Sequence, residues 1–169
     1  MEKIKKLKNI FKSEKIDGYI IPKNDEFFGE YIPEYNDRLK YVSNFSGSYG
    51  FALILNNKNY LFVDGRYTIQ AKQQSGKLFK IIEIHKFSPK GILKNMKLGF
   101  DPSLFTKKNI NFNFGKSLEL IPIKNNLVDL IHKNKKPLRK PFYSLNDKFV
   151  GESHISKIKK ILKILKSKK

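Results

Sequence analysis

The chain has 169 residues, 35 of them lysine or arginine against 15 acidic, for a formal charge of +20, and 40% of it is hydrophobic. That length suits one ordinary domain with a short extension, and the apolar share excludes a disordered chain. Cysteine is absent, which excludes disulfides and thiolate metal sites and fits a reducing cytoplasm, and no apolar run is long enough for a signal peptide or a transmembrane span.

Ile4, Leu7, Ile10 and Phe11 recur at helical spacing among lysines, which predicts an opening helix ending near Ser13. Asp17-Gly18 turns the chain, and Tyr19-Ile20-Ile21 reads as a short buried strand closed by Pro22. Residues 23–44 carry few periodic signals; Phe27, Phe28, Tyr31 and Tyr35 are expected to pack this stretch against the body of the domain. Residues 50–55 and 60–63 predict a hairpin, joined by Asn56, Asn57, Lys58 and Asn59, since asparagine tolerates the left-handed angles of tight turns. Residues 67–75 read as a helix capped by Gly76. Strand-like runs follow at 78–84, 96–100 and 118–123, with Ser88-Pro89 and Thr106 opening helices between them and a helical turn at 127–131. Alternation of helices and strands after an antiparallel start predicts an α/β fold, a mixed sheet flanked by helices.

The pattern then lapses around Pro137, Pro141 and a basic run, and it resumes with Ile155, Ile158, Ile161, Leu162 and Leu165 on one face of a terminal amphipathic helix. The expected organisation is a first domain over 1–132, a linker over 133–152 and an amphipathic helix over 153–169, with no evident domain to cover that helix.

A charge of +20 suggests an anionic partner, yet arginine occurs only at Arg38, Arg66 and Arg139, leaving 32 lysines. Phosphate and base-edge sites favour the planar fork of arginine. Drifted surface composition therefore explains the charge better than selected nucleic-acid binding; a small basic nucleic-acid-binding protein is the alternative reading. Weak, salt-sensitive binding to polyanions is expected either way.

Four ordered stretches carry a family resemblance. They are the run from Asp37-Arg38-Leu39 through Val42-Ser43-Asn44-Phe45-Ser46-Gly47-Ser48, then Phe62-Val63-Asp64-Gly65-Arg66-Tyr67, then Leu98-Gly99-Phe100-Asp101-Pro102, and Asn126-Leu127-Val128-Asp129. The chain resembles the N-terminal domain of cytosolic Xaa-Pro aminopeptidases, the creatinase/prolidase N-terminal domain with its ribonuclease-H-like architecture. Ile16 to Pro22 and Val150-Gly151-Glu152-Ser153 extend the likeness over nearly the whole chain. Asn44 stands where that family usually has glycine, and Tyr49 where it has a small residue.

The resemblance implies a three-domain cytoplasmic metallopeptidase whose two divalent ions sit in a catalytic domain beyond this chain, which would end in the first helix of the second domain. It implies no catalytic residue, no metal ligand and no cofactor here, and inactivity of this chain alone. The expected role is that of a non-catalytic domain in a split or truncated Xaa-Pro aminopeptidase-like protein, serving assembly and substrate access. Its candidate partners are the remaining aminopeptidase domains on a separate chain and a second copy of itself.

The residues themselves agree with that expectation. A two-metal hydrolytic centre needs convergent carboxylates, usually with histidine, and His85, His132 and His154 sit in no metal-ligand motif. No Gly-x-Ser-x-Gly elbow is present. The segment Phe45 to Gly50 lacks the lysine of a phosphate loop and reads as a turn entering the hairpin. Arg38, Asp64 and Arg66 are the charged residues of most interest, because arginine is kept there in a lysine-rich chain. In one reading Asp64 accepts hydrogen bonds from Arg66 or Arg38 and fixes a turn; in the other the group edges a substrate channel or an interdomain contact.

Overall fold

The computed structural model describes residues 1–93, 95–115, 118–132 and 141–168. Contacts divide the chain into two compact units, Met1–Lys136 and Pro137–Lys169. Part of the expected linker, 133–140 with Arg139, lies outside the described residues.

The first unit is built on a six-stranded sheet in the order β4-β3-β2-β1-β5-β6. The strands are β1 (Gly18–Pro22), β2 (Gly50–Leu55), β3 (Asn59–Val63), β4 (Lys80–Glu83), β5 (Lys97–Phe100) and β6 (Glu119–Pro122). β2 is antiparallel to both of its neighbours, whereas β1 pairs parallel with β5, β5 with β6 and β3 with β4. Every strand except β2 therefore points the same way, and the loops leaving β1, β3, β4 and β5 emerge along one edge. The mixed α/β sheet expected from the alternation is present.

The strands read as continuous apolar runs because helices cover both faces. In β1, Tyr19 and Ile21 face one core and Ile20 the other; in β2, Ala52 and Ile54 alternate with Phe51, Leu53 and Leu55. The first core takes Ile4, Leu7 and Phe11 of α1 (Glu2–Phe11), Leu39 and Val42 of α2 (Arg38–Ser43), Ala71 of α3 (Thr68–Ser75), and Leu127 and Val128 of α6 (Leu127–Ile131). The opposite core takes Leu93, which follows α4 (Pro89–Ile92), and Ile110 and Phe114 of α5 (Lys107–Phe114). Gly99 is needed where β5 passes beneath the first core, since a Cβ there would lie 2.7 Å from Ile123 Cδ1 and 2.8 Å from Ile16 Cδ1.

Ser88 and Thr106 cap α4 and α5 through their hydroxyls, as their sequence contexts predict. Other local expectations change. The stretch 23–44 contains α2, hidden from periodicity by its six residues and revealed only by its N-cap, Asp37, whose side chain accepts from Lys40 N. Phe27, Phe28 and Tyr31 are exposed rather than packed on the sheet, because the loop is held by charged side chains. The hairpin asparagines take no positive φ, and Gly76 ends α3 in a right-handed conformation. The left-handed position falls instead at Asn44, φ 64°, the C-cap of α2. Asparagine is the residue that best replaces glycine there.

The second unit contains α7 (Asp147–Val150), a single turn absent from the sequence reading, and α8 (His154–Ser167). α8 is capped by Ser153, whose hydroxyl accepts from Ser156 N, and none of its residues is buried.

Candidate functional site

The three charged residues do not form one cluster. Arg38 opens α2 with its side chain only 5% exposed. Its Nε donates to Asp129 Oδ1 at 2.8 Å, and its Nη2 donates to Asp129 Oδ2 at 2.8 Å and to Glu26 Oε1 at 2.6 Å. Nη1 is buried without a hydrogen-bond partner among the described residues. Burial opposes the guanidinium charge, but the bonds from Asp129 and Glu26 outweigh it and raise the Arg38 pKa above its ordinary value. Of the two donors left open for Asp64, Arg66 is the one that bonds it, and Arg38 is committed to α6 and to Glu26.

This fork belongs to a wider polar lock. Asp37 Oδ2 accepts from Lys23 Nζ at 2.5 Å, with both side chains 8% exposed. Asn126, the N-cap of α6, accepts from Val128 N and donates to Asp101 Oδ2 at 2.8 Å, while Asp101 Oδ1 takes Ser103 N and its hydroxyl. Motif residues far apart in the chain thus cross-link the ends of β1, β5 and β6 to α2 and α6. Behind them Tyr19 OH accepts from Leu127 N, and burial raises the phenol pKa.

Asp64 follows β3 and turns the chain toward α3. Its Oδ1 accepts from Arg66 N at 3.0 Å and Arg66 Nε at 2.8 Å, and His85 Nε2 lies 3.8 Å from Oδ2. The Arg66 side chain and then its backbone N–H hold the Asp64 carboxyl below its usual range. Arg66 and His85 remain 74% exposed, and the Arg66 guanidinium lies over the Tyr67 ring, 5.5 Å from its centroid.

These residues open onto a cleft of about 650 Å³, also lined by Lys23, Glu30, Tyr31 and Tyr49. The loops that build it leave the carboxyl ends of β1, β3 and β4, the edge where open α/β sheets commonly receive ligands. Its far wall is the loop after α2, pinned to α3 through Ser46: its N–H donates to Gln74 Oε1 at 3.0 Å, and its hydroxyl accepts from Gln70 and Gln74 at 2.9 Å. Ser48 and Tyr67 add a hydroxyl pair at 2.7 Å. The segment from Phe45 to Gly50 is this wall and the entry to β2, as the turn reading has it.

Sequence reasoning named Arg38, Asp64 and Arg66 but missed Glu26, Ser46 and the gathering of Tyr31, Tyr49 and His85. Nothing local marks those residues; only a buried guanidinium needing more than one acceptor points to Glu26.

Residues 3–130 match the creatinase/prolidase N-terminal domain. The chain belongs to that family. Within it, the chain is 31% identical over 92% of its length to a probable Xaa-Pro aminopeptidase P of Coprinopsis cinerea, and 30% identical over 99% to that of Laccaria bicolor. The solved X-prolyl aminopeptidase of Caenorhabditis elegans, described as a cytosolic enzyme with a di-nuclear active site, superposes on 99% of the chain with TM-score 0.78 and 26% identity. The N-terminal domain of a cytoplasmic peptidase PepQ of Mycobacterium tuberculosis matches 78% of this chain and 98% of its own, with TM-score 0.56 and 25% identity. The chain spans under a third of the longer relatives, 27%, 28% and 31% respectively. It corresponds to the N-terminal domain of Xaa-Pro aminopeptidase-like proteins.

Among the described residues no group of three or more His, Asp or Glu could hold a metal ion. Four of the chain's carboxylates are engaged by cations: Asp129 and Glu26 by Arg38, Asp37 by Lys23 and Asp64 by Arg66. No described helix is long and apolar enough to cross a membrane.

Proposed function

We propose that this chain serves as a non-catalytic domain of an Xaa-Pro aminopeptidase-like protein, contributing to assembly and to substrate access. The observation that carries this reading is the match through 99% of the chain to an enzyme of which it covers 31%. Arg38 acts structurally, holding α2 against α6. The cleft of Asp64, Arg66 and His85 is the face turned toward peptide or toward a neighbouring domain, with Arg66 as a positioning cation. Metal chemistry belongs to residues outside this chain, on the same polypeptide or on a separate one.

Two assays test this. The purified chain, supplied with manganese, is expected to release no N-terminal residue from an Xaa-Pro peptide; turnover that a chelator abolishes overturns the reading. In a preparation containing the remaining peptidase domains, Arg66→Ala is expected to raise KM while the urea midpoint stays put, since Arg66 is exposed. An unchanged KM removes the cleft from the substrate path.

A further inference from the structure

Tyr67 stands where the two walls of the Asp64–Arg66–His85 cleft meet. It ends the short turn Gly65–Tyr67 that leads into α3, and its N–H donates to Asp64 O at 2.9 Å. Its ring meets the fully buried Phe45 edge-on, with centroids 5.9 Å apart. The Arg66 guanidinium lies over the same ring, 5.5 Å from its centroid, within the range of a cation–π contact. The Tyr67 hydroxyl shares a hydrogen bond with that of Ser48 at 2.7 Å.

The wall to which Ser48 belongs runs from α2 to β2 with no helix or strand of its own. Phe45 plugs its start into the core, and the chain crosses that ring so closely that a Cβ on Gly47 would lie 2.2 Å from Phe45 Cζ. Beyond that point side chains hold the loop: Ser46 by Gln70 and Gln74, and Ser48 by Tyr67. Tyr49, which lines the cleft, comes next. We infer that Tyr67 is a positioning residue whose hydroxyl, through Ser48, holds Tyr49 at a set distance from Arg66 and so fixes the width of the cleft. Both walls then rest on one side chain, the loop on its hydroxyl and Arg66 on its ring. The inference rests on the reading of this cleft as a face turned toward peptide.

Tyr67→Phe removes the hydroxyl and keeps the ring against Phe45 and beneath Arg66, and Ser48→Ala removes the other half of the pair. In the full chain, backbone amide order parameters over residues 46–49 should be about 0.85 in the parent and fall toward about 0.6 in either variant, while the urea midpoint stays put. In a preparation containing the remaining peptidase domains, each variant should raise KM about threefold to tenfold at unchanged kcat, as loss of one hydrogen bond to a positioned wall requires. The double variant should go no further than either single one, because both remove the same bond. Unchanged order parameters overturn the positioning role, and so do KM increases that multiply in the double variant. A loosened loop with KM unmoved, where Arg66→Ala does raise KM, overturns it as well. If Arg66→Ala also leaves KM unmoved, the cleft lies off the substrate path and the inference falls with that reading.

Discussion

Replacing Asp129 by Asn should cost about 2 kcal/mol, which makes the Arg38 fork the most informative place to perturb the domain. Loss of one partner of a fully buried ion pair costs about 3–5 kcal/mol, because the other charge is left uncompensated. Here Arg38 is 5% exposed but Asp129 is 40% and Glu26 37% exposed, so water screens part of the interaction and the smaller figure applies. For a domain of this size a urea slope of roughly 2 kcal/mol per molar converts that into a midpoint lowered by about 1 M. Glu26→Gln weakens one of the three hydrogen bonds that Arg38 donates and should lower it by only about half as much. Arg38→Lys keeps the charge and loses the fork, and should resemble Asp129→Asn. The pair Arg38→Met and Asp129→Leu removes both charges and should recover much of the loss in a double-mutant cycle. Equilibrium unfolding followed by far-ultraviolet circular dichroism reads all of these. A midpoint for Asp129→Asn within about 0.2 M of the parent would mean that the fork is an ordinary surface ion pair.

Three further outcomes follow from the packing. Asn44→Val should cost about 1–2 kcal/mol because a β-branched side chain is forced to φ 64°, whereas Asn44→Gly should be neutral or slightly stabilising; thermal melts distinguish them. Gly99→Ala should cost about 1–3 kcal/mol by overpacking against Ile123, Ile16 and Tyr19, and an unchanged urea midpoint would show that those side chains move aside. His132 stacks on Tyr41 at 3.7 Å, and its pKa lies below 6.5 because burial, and then Lys3, disfavour the proton. The folded state therefore binds that proton less readily than the unfolded chain, and this contribution, complete above pH 6.5, fades as pH falls below it. His132→Phe should flatten the fall of the urea midpoint as pH drops below 6.5; an equally steep slope in the variant would place the titrating group elsewhere.

The sheet was legible because both of its faces are buried. Runs such as Tyr19-Ile20-Ile21 and Phe51 to Leu55 have no polar alternation to confuse with a surface helix, and hydroxyl caps at Ser88 and Thr106 announced the helices between them. α2 was illegible for the opposite reason: six residues give too short a period, and Arg38 at a buried position reads as surface until its acceptors are known. Phe27 and Tyr31 misled because aromatic residues in a loop usually pack inward, whereas this loop is anchored by Lys23–Asp37 and Glu26–Arg38. Of the candidate site, the Asp64–Arg66 turn was readable from two residues in sequence. The separation of Arg38 from it depends on Asp129, 91 positions away, and no local signal carries that.

The motifs that reveal kinship are mostly spent on holding the domain together. Asp101 is held by Asn126 and Ser103, Asp129 by Arg38, and Asp64 by Arg66, so these three carboxylates are already engaged by hydrogen bonds or cations. The cleft presents to a ligand the Glu30 carboxylate, the exposed guanidinium of Arg66, the imidazole of His85 and the rings of Tyr31 and Tyr49. That set can orient a carboxylate or carbonyl and pack against an apolar side chain. In the proposed role of positioning cation, Arg66→Ala should act through binding alone: KM rises, kcat stays, and the pH profile of turnover keeps its shape. A displaced pH profile would give Arg66 or His85 a share in the proton transfer itself.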